Sequence, residues 1–257
     1  MGKVIALFNQ KGGVGKTTTN VNLSACIAIK GRKMLIIDID PQGNTTSGFG
    51  IDKNSTEFNI YDALLGDEDI RNCIVKTKYE NIDIVPSNVQ LAGAEIELTE
   101  LSEREYRFKK MIQGIKDGYD YVFVDCPPSL GLLTINSLTG VDSVIIPIQC
   151  EYYALEGVSQ LMNTIQLIKR SLNPKLEIQG VVLSMFDGRT NLSIQVVDEV
   201  KRYFKGKVYR TIIPRNVRLA EAPSHGMPII EYDPKSKGAE AYDELAEEFL
   251  ELEEDVI

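Results

Sequence analysis

The chain has 257 residues, 43% of them hydrophobic, enough to bury one large core or two small ones without covalent cross-links. Four scattered cysteines (Cys26, Cys73, Cys126, Cys150) and a single histidine, His225, argue against a disulfide framework or a zinc site and suit a reducing cytoplasm. The net charge of −9 is concentrated, with nine acids and no base between residues 239 and 257, while the remainder holds 28 acids and 28 bases, so overall acidity does not exclude an anionic partner.

In chain order, the first apolar run, residues 4–8, is too short for a signal-peptide core, and no stretch approaches the ~20 apolar residues of a membrane span. Ala6 stands where myristoylation wants Ser or Thr, so a soluble, unanchored chain is expected. Strands are expected at residues 3–9, 33–38, 82–86, 121–125, 143–148, 177–184 and 208–213. Helices are expected at 16–30, 59–65, 102–116, 131–138, 155–172, 192–204 and 238–252. Most strand segments are apolar at consecutive positions, the mark of strands covered on both faces. The alternation therefore predicts an α/β fold, a mostly parallel twisted sheet with helices on both faces, in one domain over residues 1–257. Residues 43–59, rich in Gly, Ser, Thr and Asn, read as a mobile surface loop.

Ligands of such a sheet sit at the carboxyl ends of its strands, and three of those ends carry polar groups. After the first strand comes Lys11-Gly12-Gly13-Val14-Gly15-Lys16-Thr17-Thr18. The glycines let backbone N–H groups converge on a polyphosphate, Lys16 is placed for its β/γ-phosphates and the Thr17 hydroxyl for Mg²⁺. The usual G-x-x-x-x-G-K-[ST] spacing would put glycine at Gln10 and does not ask for Lys11, which on its own is a solvated loop charge. After the second strand come Asp38 and Asp40, two residues apart: one is expected to hold the attacking water, and Asp40 is the choice. The other, Asp38, stabilises the loop or metal shell, or caps a turn. Asp125 closes the run Tyr121-Val122-Phe123-Val124 as a Walker B carboxylate would, although an N-cap or turn role fits the same pattern.

With these pieces in place the chain resembles the deviant Walker A ATPases, the group that includes ParA/Soj, MinD, the nitrogenase iron protein and the arsenite-pump ATPase. Lys11 stands at the signature lysine of that group. The segments Asp38-Ile39-Asp40-Pro41-Gln42-Gly43-Asn44, Asp125-Cys126-Pro127-Pro128-Ser129-Leu130-Gly131 and Ile213-Pro214-Arg215-Asn216-Val217-Arg218-Leu219-Ala220-Glu221-Ala222-Pro223 resemble the ParA/Soj branch. The resemblance implies a homodimer sandwiching two ATP molecules, with Lys11 reaching the partner's phosphates. It also implies hydrolytic water organised by Asp40, Mg²⁺ supported by Thr17 and Asp125, and an adenine pocket lined by Pro214 and Asn216.

It further implies non-specific binding of double-stranded DNA by the ATP dimer, release after hydrolysis stimulated by a ParB-type centromere-binding partner, and a cytoplasmic, nucleoid-associated protein that segregates chromosomes or plasmids. The segment 185–218 has eight bases and three acids and is where phosphate neutralisation could occur, with Arg189 and Arg218 first and Lys201, Arg202 and Arg215 behind them. The alternative is a MinD-like ATP-switched positioning or regulatory protein acting at a membrane or on a replication or transcription factor, and the membrane form makes a demand on the sequence. It calls for a basic amphipathic terminal helix, whereas Glu247-Glu248-Phe249-Leu250-Glu251-Leu252-Glu253-Glu254-Asp255 is acidic. No iron–sulfur role is expected: Cys26 reads as a small core residue, and Cys126 directly follows Asp125.

Overall fold

Consecutive apolar residues form strands here because helices cover the sheet on both sides. The computed structural model describes residues 2–151 and 154–254. Its strands are β1 (Lys3–Leu7), β2 (Met34–Asp38), β3 (Val75–Lys76), β4 (Ile82–Val85), β5 (Tyr121–Asp125), β6 (Ser143–Gln149), β7 (Glu177–Phe186) and β8 (Val208–Pro214). They lie in one sheet in the order β3-β4-β2-β5-β1-β6-β7-β8, parallel except for β3, which runs antiparallel to β4. The helices are α1 (Lys16–Ile29), α2 (Asn44–Gly48), α3 (Ile60–Leu65), α4 (Leu91–Glu97), α5 (Arg107–Ile112), α6 (Leu132–Gly140), α7 (Ala154–Ser171), α8 (Asn191–Tyr203), α9 (Val217–Glu221), α10 (Ile229–Tyr232) and α11 (Lys237–Glu254).

Side-chain alternation along each strand divides the interior into two cores. Val4, Ala6, Leu35, Ile37, Val122, Val124, Val144 and Ile146 join α3 to α8 on one face. Ile5, Leu7, Met34, Ile36, Phe123 and Ile145 meet α1 and α11 on the other. The apolar residues Leu245, Phe249 and Leu252 at helical spacing predict a buried stripe on α11 with its acids facing water; Leu245 and Phe249 are fully buried and most of the acids face water, but Leu252, in the last turn, is exposed. Asp255 lies outside the described residues.

Two expectations need correction. The helix expected over 102–116 is broken into a 3-10 turn at Arg104–Tyr106, the short α5, and a second 3-10 turn at Lys116–Gly118. The cause is Asn136 of α6: its Oδ1 accepts from the Phe108 N–H at 3.1 Å and its Nδ2 donates to the Arg104 carbonyl at 2.7 Å, taking over backbone groups that a continuous helix would pair internally. The segment 43–59, expected as a mobile surface loop, begins with α2, whose Thr45 and Thr46 are fully buried. Its hydroxyls, which read as polar loop composition, are spent on carboxylates at the sheet's ends. Strand β3 and helices α4, α9 and α10 were not anticipated.

Candidate nucleotide site

Strand β1 is central, paired with β5 on one side and β6 on the other. The loop following it therefore opens into the crevice at the carboxyl ends of the strands. Gly15 caps α1 at φ 94°, a left-handed conformation that only glycine adopts cheaply, and so turns the loop into the helix. The Asn9 side chain holds the entry to the loop by donating to the Pro147 carbonyl at 2.8 Å and accepting from the Lys11 N–H at 3.0 Å. Ser184, at the end of β7, donates to the Val14 carbonyl at 2.8 Å from the far side. The loop is thus braced by β6 and β7, while Gly12 and Gly13 remain exposed.

Lys16 is buried and its Nζ donates to the Lys11 carbonyl at 3.0 Å. Burial pulls its ammonium below the ordinary lysine range, an effect opposed by the negative charges of Asp125 and Asp40. Such a cation gains from an arriving polyanion. The side chain of Lys11 makes no ion pair among the described residues.

Asp38 and Asp125 are register partners on adjacent strands, both fully buried. Burial raises both acids above the usual carboxylate range, and the mutual repulsion of the acids in the site adds to it. Hydroxyls partly offset the cost. Thr17 and Thr45 both donate to Asp125 Oδ2, at 2.7 and 2.8 Å, while Asp125 Oδ1 is buried with no hydrogen-bond partner among the described residues. Asp38 Oδ2 accepts from the Thr46 N–H at 2.8 Å and its hydroxyl at 2.7 Å, so Asp38 holds α2 in place.

Asp40 lies just beyond Asp38 and is 8% exposed. Its Oδ1 accepts from the Gln42 N–H at 2.9 Å, and its carbonyl receives the Ser87 hydroxyl at 2.8 Å and the Gly43 N–H at 2.8 Å. Gly43 has φ 59°, and a Cβ there would stand 2.7 Å from the Ser87 carbonyl, so this turn requires glycine.

A cavity of about 280 Å³ adjoins the loop at Gly15 and Thr18, with Pro214, Asn216, Met185 and Tyr242 among its walls. Asn216 also caps α9, its Oδ1 accepting from the Arg218 N–H at 2.8 Å. Met185 sits at φ 52°, a strained conformation for a side chain of this size. A larger cleft, about 420 Å³, lies beside Arg71 and Arg107, away from the phosphate loop.

The basic segment is divided by the fold. Arg189, Arg215 and Arg218 lie at the nucleotide end of β7 and β8, whereas Lys201 and Arg202 sit in the last turn of α8. At 1.5 Å per residue, the length of α8 puts the two groups roughly 15–20 Å apart. Arg189 grips Asp187 at 2.6 Å and Arg218 pairs with Glu221 at 2.9 Å and Asp233 at 3.4 Å. Arg215 is exposed and makes no ion pair among the described residues. Thr45, Thr46, Ser87, Ser184 and Met185 are site residues that sequence reasoning missed. A signal existed only for the first two, which directly follow the Asp38–Asn44 motif.

A phosphate loop at the centre of a mostly parallel sheet, with carboxylates on the neighbouring strand ends, defines a P-loop nucleotide-binding protein. Residues 2–178 match the family described as an AAA domain. The chain is 61% identical to the sporulation initiation inhibitor protein Soj of Bacillus subtilis over 248 residues, 96% of this chain and 98% of that one. It is 51% identical to the chromosome partitioning protein ParA of Myxococcus xanthus, over 97% of this chain and 88% of that one. The crystal structure of cobyrinic acid a,c-diamide synthase from Mycobacterium smegmatis with bound ADP and magnesium matches with a TM-score of 0.84 at 38% identity, over 96% of this chain and 93% of that one. The chain belongs to the ParA/Soj family of chromosome partitioning ATPases.

Proposed function

We propose that this protein is an ATP hydrolase that pairs with a second copy on binding ATP, holds double-stranded DNA without sequence preference as that pair, and lets go after hydrolysis stimulated by a ParB-type partner. The observation that carries the reading is the Asp125 carboxylate, hydrogen-bonded to Thr17 of the phosphate loop with its other oxygen buried and without a partner among the described residues. A buried unpaired carboxylate oxygen is costly, and a water on a metal ion would satisfy it. Magnesium, when bound, supplies positive charge to the phosphate oxygens. Thr17 would hold it directly and Asp125 through water. The glycine backbone and Lys16 cradle the phosphates, Pro214 and Asn216 flank the base, and Asp40 orients the attacking water. Lys11, whose side chain makes no ion pair among the described residues, is available to the second copy's phosphates.

At the nucleotide end Arg189, Arg215 and Arg218 offer charge to phosphate backbones, and such contacts give affinity without reading sequence. Lys201 and Arg202 are a second, more distant group. No helix among the described residues is long and apolar enough to cross a membrane, and the exposed face of α11 is acidic, which disfavours docking of that helix on an anionic lipid surface. Size-exclusion chromatography and DNA retention, with and without ATP, on wild type and Lys16→Ala test the reading. A dimer retained by DNA only with ATP, and only in wild type, is expected. ATP leaving wild type monomeric and unretained would overturn it.

A further inference from the structure

The first turn of α2 touches two of the site's three carboxylates, and the residue before it bonds the backbone of the third acid. Thr45 donates to Asp125 and Thr46 to Asp38, and the preceding Gly43 N–H donates to the Asp40 carbonyl at 2.8 Å. Thr46 Oγ1 also accepts from the Ser87 N–H at 3.0 Å, and Ser87 in turn bonds the Asp40 carbonyl. The turn is therefore one hydrogen-bonded unit spanning β2, β5 and the Asp40 loop.

Thr45 stands out within that unit. Asp125 Oδ2 already has a donor in Thr17, yet Thr45 is aimed at the same oxygen, leaving Oδ1 with none. A hydroxyl placed to satisfy the carboxylate would do so better on the empty oxygen. Behind it, Asn20 of α1 approaches Thr45 Oγ1 with its Nδ2 at a long 3.4 Å, and Asn20 Oδ1 is also buried without a partner among the described residues. Buried polar networks left incomplete in this way mark sites where something other than stability is served.

We propose that Thr45 is a positioning residue for ATP hydrolysis: by donating to Asp125 Oδ2 beside Thr17 it fixes the orientation of that carboxylate, leaving Oδ1 without a donor among the described residues, and it ties the carboxylate to the turn holding Asp40. The inference rests on the reading of Asp125 given above. Thr45 itself is fully buried. Its effect passes through Asp125 in one direction and through Gly43 and Asp40 in the other.

The test compares Thr45→Val, near in shape but without the hydroxyl, with Thr45→Ser and Thr45→Ala, using a fluorescent ATP analogue titrated with and without magnesium and steady-state hydrolysis. In Thr45→Val, magnesium-free nucleotide affinity is expected to stay within about 2-fold of wild type. The magnesium concentration for half-maximal activity should rise and kcat fall, each by roughly 10- to 100-fold, the range for a hydrogen bond to a charged group. KM at saturating magnesium changes little, and Thr45→Ser restores both to within a few-fold. A Thr45→Val magnesium curve that overlays wild type overturns the proposal. So does a Thr45→Ser variant as impaired as Thr45→Val, since packing of the methyl group would then be the cause. If Thr45→Val does not fold, Thr45→Ala against Thr45→Ser gives the same comparison. Failure of wild type to bind the analogue at all would instead refute the nucleotide reading.

Discussion

Replacing Glu248 by alanine should loosen the strand that ends at Pro214, in the wall of the cavity beside the phosphate loop. Glu248 on α11 is 6% exposed and bonds the edge strand β8: Oε1 accepts from the Arg210 N–H at 2.7 Å, while Oε2 accepts from the Thr211 N–H and hydroxyl, each at 2.9 Å. Truncation strands three donors, each costing about 1–3 kcal/mol if fully desolvated. Arg210 is exposed and Thr211 half-buried, so water recovers part of this, and a net loss of about 2–4 kcal/mol is expected. For a chain of this size that is a fall in Tm of roughly 5–15 °C. Glu248→Gln should also destabilise, because one acceptor oxygen becomes a donor facing donors. Since β8 delivers Pro214 to the cavity beside the phosphate loop, nucleotide affinity should weaken along with stability. Scanning calorimetry with and without ATP reads both. A Tm within about 2 °C of wild type would refute the reasoning, showing that water replaces the carboxylate fully.

Three further outcomes are expected. Asp40→Ala should retain ATP-dependent assembly but lose at least about 100-fold in stimulated hydrolysis, the usual span for a positioned proton acceptor, and intact turnover in a phosphate-release assay would remove Asp40 from its role. Arg215→Ala and Arg218→Ala should each lower the slope of log affinity against log salt for DNA by about 1, whereas Arg202→Ala should change it less. Equal effects would show that one duplex runs the whole length of α8. The buried thiols should resist alkylation in the native protein, since burial pushes Cys26, Cys73 and Cys126 up to about 12 and Cys150 to about 11. A raised pKa keeps the thiol protonated until the pH nears that value, so iodoacetamide labelling at pH 8 should be slow for all four and rise on unfolding.

Long, uniformly apolar segments were readable in the sequence because burial on both faces leaves no other pattern. Strands β1, β2, β5 and β6 sit within two residues of where they are expected, and so does α1 after its glycine-rich entry. The phosphate loop and its three nearby carboxylates were legible for the same reason, since each ends a strand. What escaped was decided by contacts between distant residues. Nothing local in 102–116 announces that Asn136 will take its backbone bonds, and nothing in 43–59 says that two threonines face buried carboxylates. Charge patterning failed similarly: Arg202 and Arg215 are close in sequence but lie at opposite ends of the sheet, because α8 and β8 return the chain across the molecule.

Lys3 at the start of β1 bonds Glu253 near the end of α11 at 2.7 Å, and Arg32 pairs with Glu254 at 3.0 Å on the same side, opposite the phosphate loop. A small dye attached at Lys3 or Glu253 would therefore report on the anchorage of α11 from the side of the sheet remote from the phosphate loop.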